Sequence, residues 1–159
     1  MDADEMQGRY TVTREQGQQI VTAWVEAFNR HDPDAVAAFY IEDAVSRDMG
    51  RDMALMGRAA IRESMATYFE SFPDIVMSIS RVGVDGETAF LEWHATATHG
   101  GPYHGLAATG RQGEVDGCNV LNFAADGRIT SAISYWDVAS LLRQMGQTPA
   151  WPAEGAVAQ

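Results

Sequence analysis

The sequence is poor in cysteine, in basic residues and in long apolar runs. Cys118 is the single cysteine among 159 residues, so no disulfide can form within the chain. Lysine and arginine number 11 against 22 aspartate and glutamate residues, and the net charge of -11 would repel a nucleic-acid backbone or an anionic membrane. No apolar run approaches the roughly 18 residues of a membrane span, and the opening MDADEMQGRY is too acidic for a signal peptide. We therefore expect a soluble, cytoplasmic protein without a nucleic-acid or membrane partner.

Length and composition fit one domain. With 159 residues, 46% of them hydrophobic, the chain is long enough for one core and short for two. No internal repeat or linker interrupts it. We expect a core over about residues 13–146, followed by an Ala-, Pro- and Gly-rich tail over 147–159 that is mobile.

Helical spacing of apolar residues marks four segments. The sequence predicts helices at residues 13–29, 33–40, 61–72 and 138–145. Asp32 is placed to cap the second helix, with Pro33 at its first position. Pro73 ends the third helix. Asp137 is the expected N-cap of the fourth.

Alternating apolar residues mark the strands. We expect strands at residues 42–50, 75–84, 88–99, 118–124 and 128–136. A methionine-rich loop is predicted after residue 50, and residues 106–116 are predicted to be a further strand or the bulged start of the one at 118–124. Helices followed by antiparallel strands favour an α+β domain with helices on one face of a curved sheet. The last strand has apolar residues on both faces, so the uncovered face is a candidate homodimer interface.

Six segments together resemble a known superfamily. They are WVEAF, HDPDAVAAFYIEDAVSRD, GRAAIRE, EWHATATHGGPYHGL, NVLNFAADGRI and SYWDVASLLRQMG, and they span residues 20–146. Their order resembles the SnoaL-like polyketide cyclase and ketosteroid isomerase branch of the nuclear-transport-factor-2-like superfamily. The resemblance implies a cone-shaped α+β barrel, a fold that carries isomerases, dehydratases, cyclases, epoxide hydrolases and binding proteins.

The resemblance also implies roles for individual residues. It places the catalytic base of the isomerases at Asp48 and a cavity-lining tryptophan at Trp136. Where the isomerases have an acidic oxyanion hole, this chain has Trp24 and Asn119, whose N–H groups donate hydrogen bonds but do not readily release protons. Where the cyclases have their acid/base aspartate the chain has Ser134, which cannot serve as that base.

The strand pattern gives Asp48 an independent case. Its side chain falls on the same face as Ala44 and Ser46, which are small enough to leave a cavity. A carboxylate held there could act as a general base. The alternative is a solvated acid paired to Arg47 or Arg51. Asp43, by contrast, is expected to be structural.

The histidines are the next candidate residues of the site. The family's strand-end histidine is retained as His99, which shares a face with the apolar residues of its strand and could shuttle a proton or bind substrate. The alternative is a buried histidine that only satisfies backbone groups. His94 is expected on the outer face, and Tyr103 with His104 could form a rim or lid. The histidine spacing does not support a metal site, so none is expected.

These observations lead to a functional hypothesis. We expect a cofactor-independent enzyme that acts on a small hydrophobic carbonyl compound by cyclisation, isomerisation or dehydration through an enol. The predicted catalytic residues are Asp48, His99 and Asn119, and the predicted substrate-binding residues are Trp24, Tyr40, Trp93, Tyr103, Ser134 and Trp136. Two alternatives stay open: an epoxide-opening hydrolase or cyclase, in which Asp137 would be a second acid, and a non-catalytic, dimeric small-molecule-binding protein.

Overall fold

The computed structural model describes residues 12–147, which form four helices and six strands. The helices are α1 (Arg14–Asn29), α2 (Pro33–Ala37), α3 (Arg58–Ser71) and α4 (Val138–Gln144). The strands are β1 (Tyr40–Asp48), β2 (Met53–Met56), β3 (Val76–Asp85), β4 (Thr88–Thr98), β5 (Gln112–Phe123) and β6 (Ile129–Trp136). The tail predicted to be mobile lies outside the described residues from 148 onward.

The helix ends follow from local capping. Thr13 caps α1 through a capping box, in which its hydroxyl accepts from the Gln16 N–H and the Gln16 side chain accepts from the Thr13 N–H. Asp32 accepts from the Ala35 N–H at the start of α2, with Pro33 at the first helical position. The predicted starts of both helices are confirmed, but α2 ends at Ala37 and not at residue 40, because Tyr40 begins β1.

Two predictions in the middle of the chain are wrong, the second only in part. The methionine-rich segment is not a loop, because Met53–Met56 pairs antiparallel with the end of β1 as β2. Residues 112–116 are the start of β5, as one of the two alternatives expected, but this start has no bulge, because β5 runs without a break from Gln112 to Phe123 along β4; residues 106–111 lie outside the strand. Both elements are defined by pairing with the preceding strand, which alternation alone does not reveal.

The sheet is six-stranded, in the order β2-β1-β6-β5-β4-β3. All neighbouring strands are antiparallel except β1 and β6, which are parallel. The sheet curves without closing, since β2 and β3 remain its two edges. This is the expected α+β architecture with helices packed on a curved, mainly antiparallel sheet, and it surrounds one hydrophobic core.

The helices cover one face of the sheet and leave the other face exposed. The inward residues of β4, such as Leu91 and Trp93, are buried under the helices. The opposite face leaves Phe90 and Tyr135 45% and 48% exposed. None of the helices in residues 12–147 is long and apolar enough to cross a membrane.

Candidate active site

A small cavity lies between the helices and the concave face of the sheet. Its volume is about 90 Å³. It is lined by most of the residues predicted to form the site, namely Trp24, Tyr40, Asp48, Trp93, Asn119, Ser134 and Trp136. His99 and Tyr103 are not part of its wall.

Asp48 is the last residue of β1, and its carboxylate is held from two directions. Oδ1 accepts hydrogen bonds from the indole Nε1 of Trp136 at 2.8 Å and from the backbone N–H of Arg51 at 3.1 Å. Oδ2 contacts the Nε and the Nη2 of Arg51, each at 2.6 Å. Three hydrogen bonds and one further ion-pair contact therefore surround the carboxylate.

The turn after β1 brings these donors into place. Gly50 approaches Trp136 so closely that a Cβ at this position would lie 2.9 Å from the indole Nε1. The Met49 N–H donates to the Ser134 carbonyl at 2.9 Å, which extends the β1 and β6 pairing past Asp48. Three residues after Asp48, the chain therefore returns with both the backbone and the side chain of Arg51 facing the carboxylate.

The alternative interpretation of Asp48 is a solvated acid paired to Arg47 or Arg51. The ion pair with Arg51 is present, but it does not lie in solvent. The Asp48 and Arg51 side chains are only 16% and 18% exposed, and both line the cavity. Asp48 is thus neither alone in an apolar pocket nor solvated at the surface. It is a paired carboxylate in the cavity wall.

Asn119 forms a second polar group in the wall. Its Oδ1 accepts from the Trp93 indole at 3.0 Å and from the Ser134 hydroxyl at 2.9 Å. Because an indole N–H can only donate, Oδ1 must face Trp93, and the amide Nδ2 points elsewhere. Gly117 fixes this arrangement, since a Cβ there would overlap the Trp93 ring. Among the hydrogen bonds of the described residues, Nδ2 has no protein acceptor.

Trp24 and Tyr40 bring further polar atoms to the same cavity. Trp24 is 4% exposed, and its buried Nε1 makes no hydrogen bond of standard distance and angle. Burial raises the pKa of the Tyr40 hydroxyl to about 12, against the smaller opposing effect of a hydrogen-bonding interaction with the Trp24 indole, so this hydroxyl stays protonated at neutral pH. An unpartnered buried N–H is costly unless a ligand or solvent satisfies it.

His99 is buried but lies outside the cavity. It is 0% exposed and packs against Phe72 and Tyr103, with ring centroids 5.6 Å and 6.4 Å away. The Thr109 backbone N–H donates to Nδ1 at 3.3 Å, which places the proton of the neutral ring on Nε2. That Nε2 is buried without a partner. The inward orientation expected of His99 is present, but the structure does not bring it to Asp48 and Asn119.

Tyr103 and His104 belong to a second, outer pocket of about 460 Å³. Three residues, Arg51, Ser64 and Tyr68, line both this outer pocket and the inner cavity. The guanidinium of Arg51 lies between the two, with Nη1 2.6 Å from Nε2 of His104 and its carbon 5.8 Å from the centre of the Tyr103 ring. The placement of Tyr103 and His104 agrees with the expected rim.

Sequence reasoning missed Arg51, Ser64 and Tyr68 as residues of the site. Ser64 and Tyr68 lie four residues apart on α3, so they share one helix face. That spacing is a signal that could have identified them. Burial raises the pKa of Tyr68, so its hydroxyl remains a donor.

The remaining candidates lie away from the cavity. Asp137 is exposed and accepts from the Ser140 N–H at 2.9 Å as the N-cap of α4. His94 lies on the outer face 2.9 Å from Asp116. Asp43 is exposed on β1. No three His, Cys, Asp or Glu side chains within residues 12–147 are grouped so that they could hold a metal ion.

The helix order, the curved sheet and a cavity at its concave face define a class of protein, the α+β domains with a ketosteroid isomerase-like fold. Within that class the sequence matches the family model of SnoaL-like polyketide cyclases over residues 18–145. The chain belongs to this family. A search of curated proteins finds no match.

Solved structures support the fold. A proposed SnoaL-like polyketide cyclase from Jannaschia sp. CCS1 is similar with a TM-score of 0.77 at 19% identity, over 86% of this chain and 95% of that one. TsrD from Streptomyces laurentii has a TM-score of 0.74 at 21% identity, over 85% and 98% of the two chains. The epoxide hydrolase/cyclase-like enzyme SalBIII, with a role in pyran ring formation in the polyether salinomycin, has a TM-score of 0.68 at 19% identity, over 79% and 94%.

Proposed function

We propose that the protein is a cofactor-independent enzyme that forms an enolate from a small hydrophobic carbonyl compound, as a step in cyclisation, isomerisation or dehydration. The observation that carries the proposal is that Asp48, Trp24 and Asn119, a carboxylate and two residues with side-chain N–H groups, line one cavity of about 90 Å³. A base and separate donors for a developing oxyanion are the two parts that enolisation requires.

The proposed step is a proton transfer. The C–H bond beside the substrate carbonyl breaks, its proton moves to Oδ2 of Asp48, and its electron pair forms the enolate double bond. Negative charge then develops on the former carbonyl oxygen. Trp24 and Asn119 donate hydrogen bonds to this oxygen, and the Tyr40 hydroxyl lines the same wall.

Oδ2 is the atom assigned to take the proton. Oδ1 is held by a backbone N–H and by the Trp136 indole, both on the rigid ends of strands or their turn. Oδ2 is held by the Arg51 side chain alone among the hydrogen bonds of the described residues. A flexible side chain can give way more readily than backbone, so Oδ2 can be uncovered without distorting β1.

The cavity limits what reaches Asp48. Ligand pockets for drug-sized molecules have volumes of about 300–1,000 Å³, whereas the inner cavity has about 90 Å³. A whole polyketide-like ring system does not fit this volume. The reacting carbonyl group and its immediate neighbours do.

Epoxide opening is the second candidate, favoured by the likeness to SalBIII. That chemistry pairs a base with an acid that protonates the epoxide oxygen. The acid considered for this role, Asp137, is exposed and caps α4 outside the cavity wall. The enolate reaction therefore has the better support.

We also propose that the protein forms a homodimer through the outer face of the sheet. Phe90 on β4 and Tyr135 on β6, with β5 between the two strands, expose large apolar side chains on this face. Apolar surface of this kind favours association with a second copy over exposure to water.

The test of the enolate reaction is hydrogen–deuterium exchange, which does not require the natural substrate. Acetyl protons of 3-acetylbenzoate and 1,3-diacetylbenzene are followed by NMR in deuterated buffer with the wild type, Asp48→Asn and Asp137→Asn. General-base catalysis contributes about 10²–10⁴-fold, so Asp48→Asn should lose at least about a hundredfold in rate. Asp137→Asn keeps the helix cap, because asparagine caps helices well, and should exchange at the wild-type rate.

Two outcomes contradict the proposal. Unchanged exchange in Asp48→Asn removes Asp48 as the base. Exchange no faster than in buffer for the wild type, with either compound, favours the non-catalytic binding protein.

A further inference from the structure

The Arg51 side chain covers Oδ2 of Asp48. Its Nε donates a hydrogen bond to Oδ2, its Nη2 lies 2.6 Å from the same oxygen in the ion pair, and Oδ1 accepts from the Arg51 backbone N–H and the Trp136 indole. A substrate C–H group cannot approach Oδ2 while the guanidinium lies against it. Something must therefore draw Arg51 from Oδ2 before Asp48 can act.

The guanidinium still has donors to offer. Arginine has five N–H groups. One on Nε and one on Nη2 face Asp48, and one on Nη1 faces His104. Two N–H groups remain, one on each Nη nitrogen. Because Arg51 lines the inner cavity and the outer pocket alike, these groups are at the junction between the two.

The surroundings of Arg51 keep its charge available at that junction. His104 has its pKa lowered by burial and then by the Arg51 charge, so it is neutral at neutral pH and accepts a hydrogen bond there. The ring of Tyr103 lies beside the guanidinium. Asp48 is the one carboxylate with an ion pair to Arg51 among the described residues.

The inner cavity and the outer pocket differ in volume and suit different parts of one ligand. The inner cavity of about 90 Å³ accepts a carbonyl group and little more, whereas the outer pocket of about 460 Å³ has room for a ring. Met53 and Leu55 on β2 and the Tyr103 ring give the outer pocket apolar wall. A ligand that fills both spaces must pass Arg51, where Ser64 and Tyr68 also contact both.

We propose that the two spaces are one substrate site and that Arg51 binds an anionic oxygen of the substrate, which uncovers Asp48. The substrate class is a ring compound with a carbonyl group on one ring carbon and a carboxylate or ionised enol meta to it. The anion takes the guanidinium donors toward the outer pocket, and Oδ2 becomes free to accept the proton. The inference rests on the proposed function for its assignment of the reacting carbonyl to the inner cavity.

A matched pair of ligands tests it. In 3-acetylbenzoate and 1,3-diacetylbenzene the acetyl head and the ring are the same, and a carboxylate in one replaces a neutral acetyl group in the other. Charge-assisted hydrogen bonds to arginine are about twice as strong as neutral ones. Binding by titration calorimetry should therefore favour the acid about tenfold in the wild type, and deuterium exchange should favour it at least as much.

Arg51→Gln should abolish this preference in both measurements. Arg47→Gln is the matched control, since it removes the same charge from an exposed position on β1 and should keep the preference. Arg51→Lys keeps the charge but loses the planar pair of donors, and should retain only part of it. Equal affinity for the two ligands in the wild type, or a full preference in Arg51→Gln, would overturn the inference.

A readout on the wild-type protein covers the case in which Arg51→Gln does not fold. The NMR signal of the Arg51 Nε–H, assigned by its absence in Arg51→Lys, should shift on addition of 3-acetylbenzoate and stay in place with 1,3-diacetylbenzene. No shift with either ligand overturns the inference.

The outcomes separate this inference from the function. Arg51-dependent binding without any enzyme-dependent exchange overturns the enolate reaction and leaves the anion site. Asp48-dependent exchange that is equal for both ligands leaves the reaction and overturns the anion site.

Discussion

Replacing Asn119 by leucine tests the polar wall of the cavity most directly. Leucine has nearly the shape of asparagine but accepts no hydrogen bond. The Trp93 indole N–H and the Ser134 hydroxyl, which now donate to Oδ1 at 3.0 and 2.9 Å, both lose their acceptor. Trp93 is 7% exposed and Asn119 5%, so the substitution leaves the indole N–H without its protein acceptor in a buried position.

The expected loss of stability follows from these contacts. A buried donor left without a partner costs about 1–3 kcal/mol. The Ser134 hydroxyl is half-buried and can turn toward another acceptor, so it adds little. We therefore expect Asn119→Leu to lower the free energy of unfolding by about 1–3 kcal/mol. For a chain of this size that corresponds to a fall in Tm of about 2–4 °C per kcal/mol.

Urea unfolding at a fixed protein concentration measures the effect. Asn122→Leu is the matched control on the same strand. The Asn122 partners are the hydroxyls of Thr88 and Ser131, and all three residues are half-buried on the other face of the sheet. Its loss should be under about 1 kcal/mol. Equal stability of Asn119→Leu and the wild type would refute the reasoning, since it would mean that the Trp93 indole N–H does not depend on Asn119.

Two further predictions concern Asp48 and the outer sheet face. Trp136→Phe removes the 2.8 Å hydrogen bond to Oδ1 of Asp48. The deuterium exchange rate should fall about tenfold, because the carboxylate loses a fixed orientation. An unchanged rate in a folded variant would mean that Trp136 does not position the base. Phe90→Glu puts a charge at a position on the outer sheet face that is 45% exposed. Light scattering should then find monomers in place of the proposed dimer. A dimer in both proteins, or a monomeric wild type, would contradict the proposed interface.

The fold was largely predictable because its signals are local. Capping at Thr13 and Asp32, and alternation along β4 and β6, depend on neighbouring residues. The strand Met53–Met56 was not predictable in this way. Its four residues are apolar at every position, so they show no alternation, and the strand exists because β1 lies beside it.

The residues of the site were likewise predictable only in part. Alternation predicted that Asp48 faces the cavity, whereas the family resemblance placed Asn119 and Trp136 there, and all three line it. Alternation also predicted an inward His99, and that residue is buried. Alternation predicts which face of the sheet a side chain lies on, but not where along the strand the cavity ends. The rings of Phe72 and Tyr103 pack against His99 beyond the end of the cavity. Its proposed catalytic role stays a prediction without support from the geometry.

The pairing of Asp48 with Arg51 changes what the missing family acids imply. The cyclase acid is replaced by Ser134, which leaves Asp48 as the base in the proposed reaction. Before the substrate binds, the guanidinium balances the Asp48 carboxylate. Once the substrate anion binds the guanidinium, Asp48 takes the proton and becomes neutral, while Trp24 and Asn119 hold the enolate oxygen.

The net charge of the loaded site is the same before and after the proton transfer. A cavity wall that is mostly apolar disfavours any change in net charge, because burial penalises unpaired ions. The proton transfer itself conserves the net charge with or without Arg51. What Arg51 changes is the charge of the loaded site, because it balances the substrate's own anion, which would otherwise lie unpaired beside the Asp48 carboxylate. On this reasoning, Arg51 allows an anionic substrate and an ionised base to occupy one site.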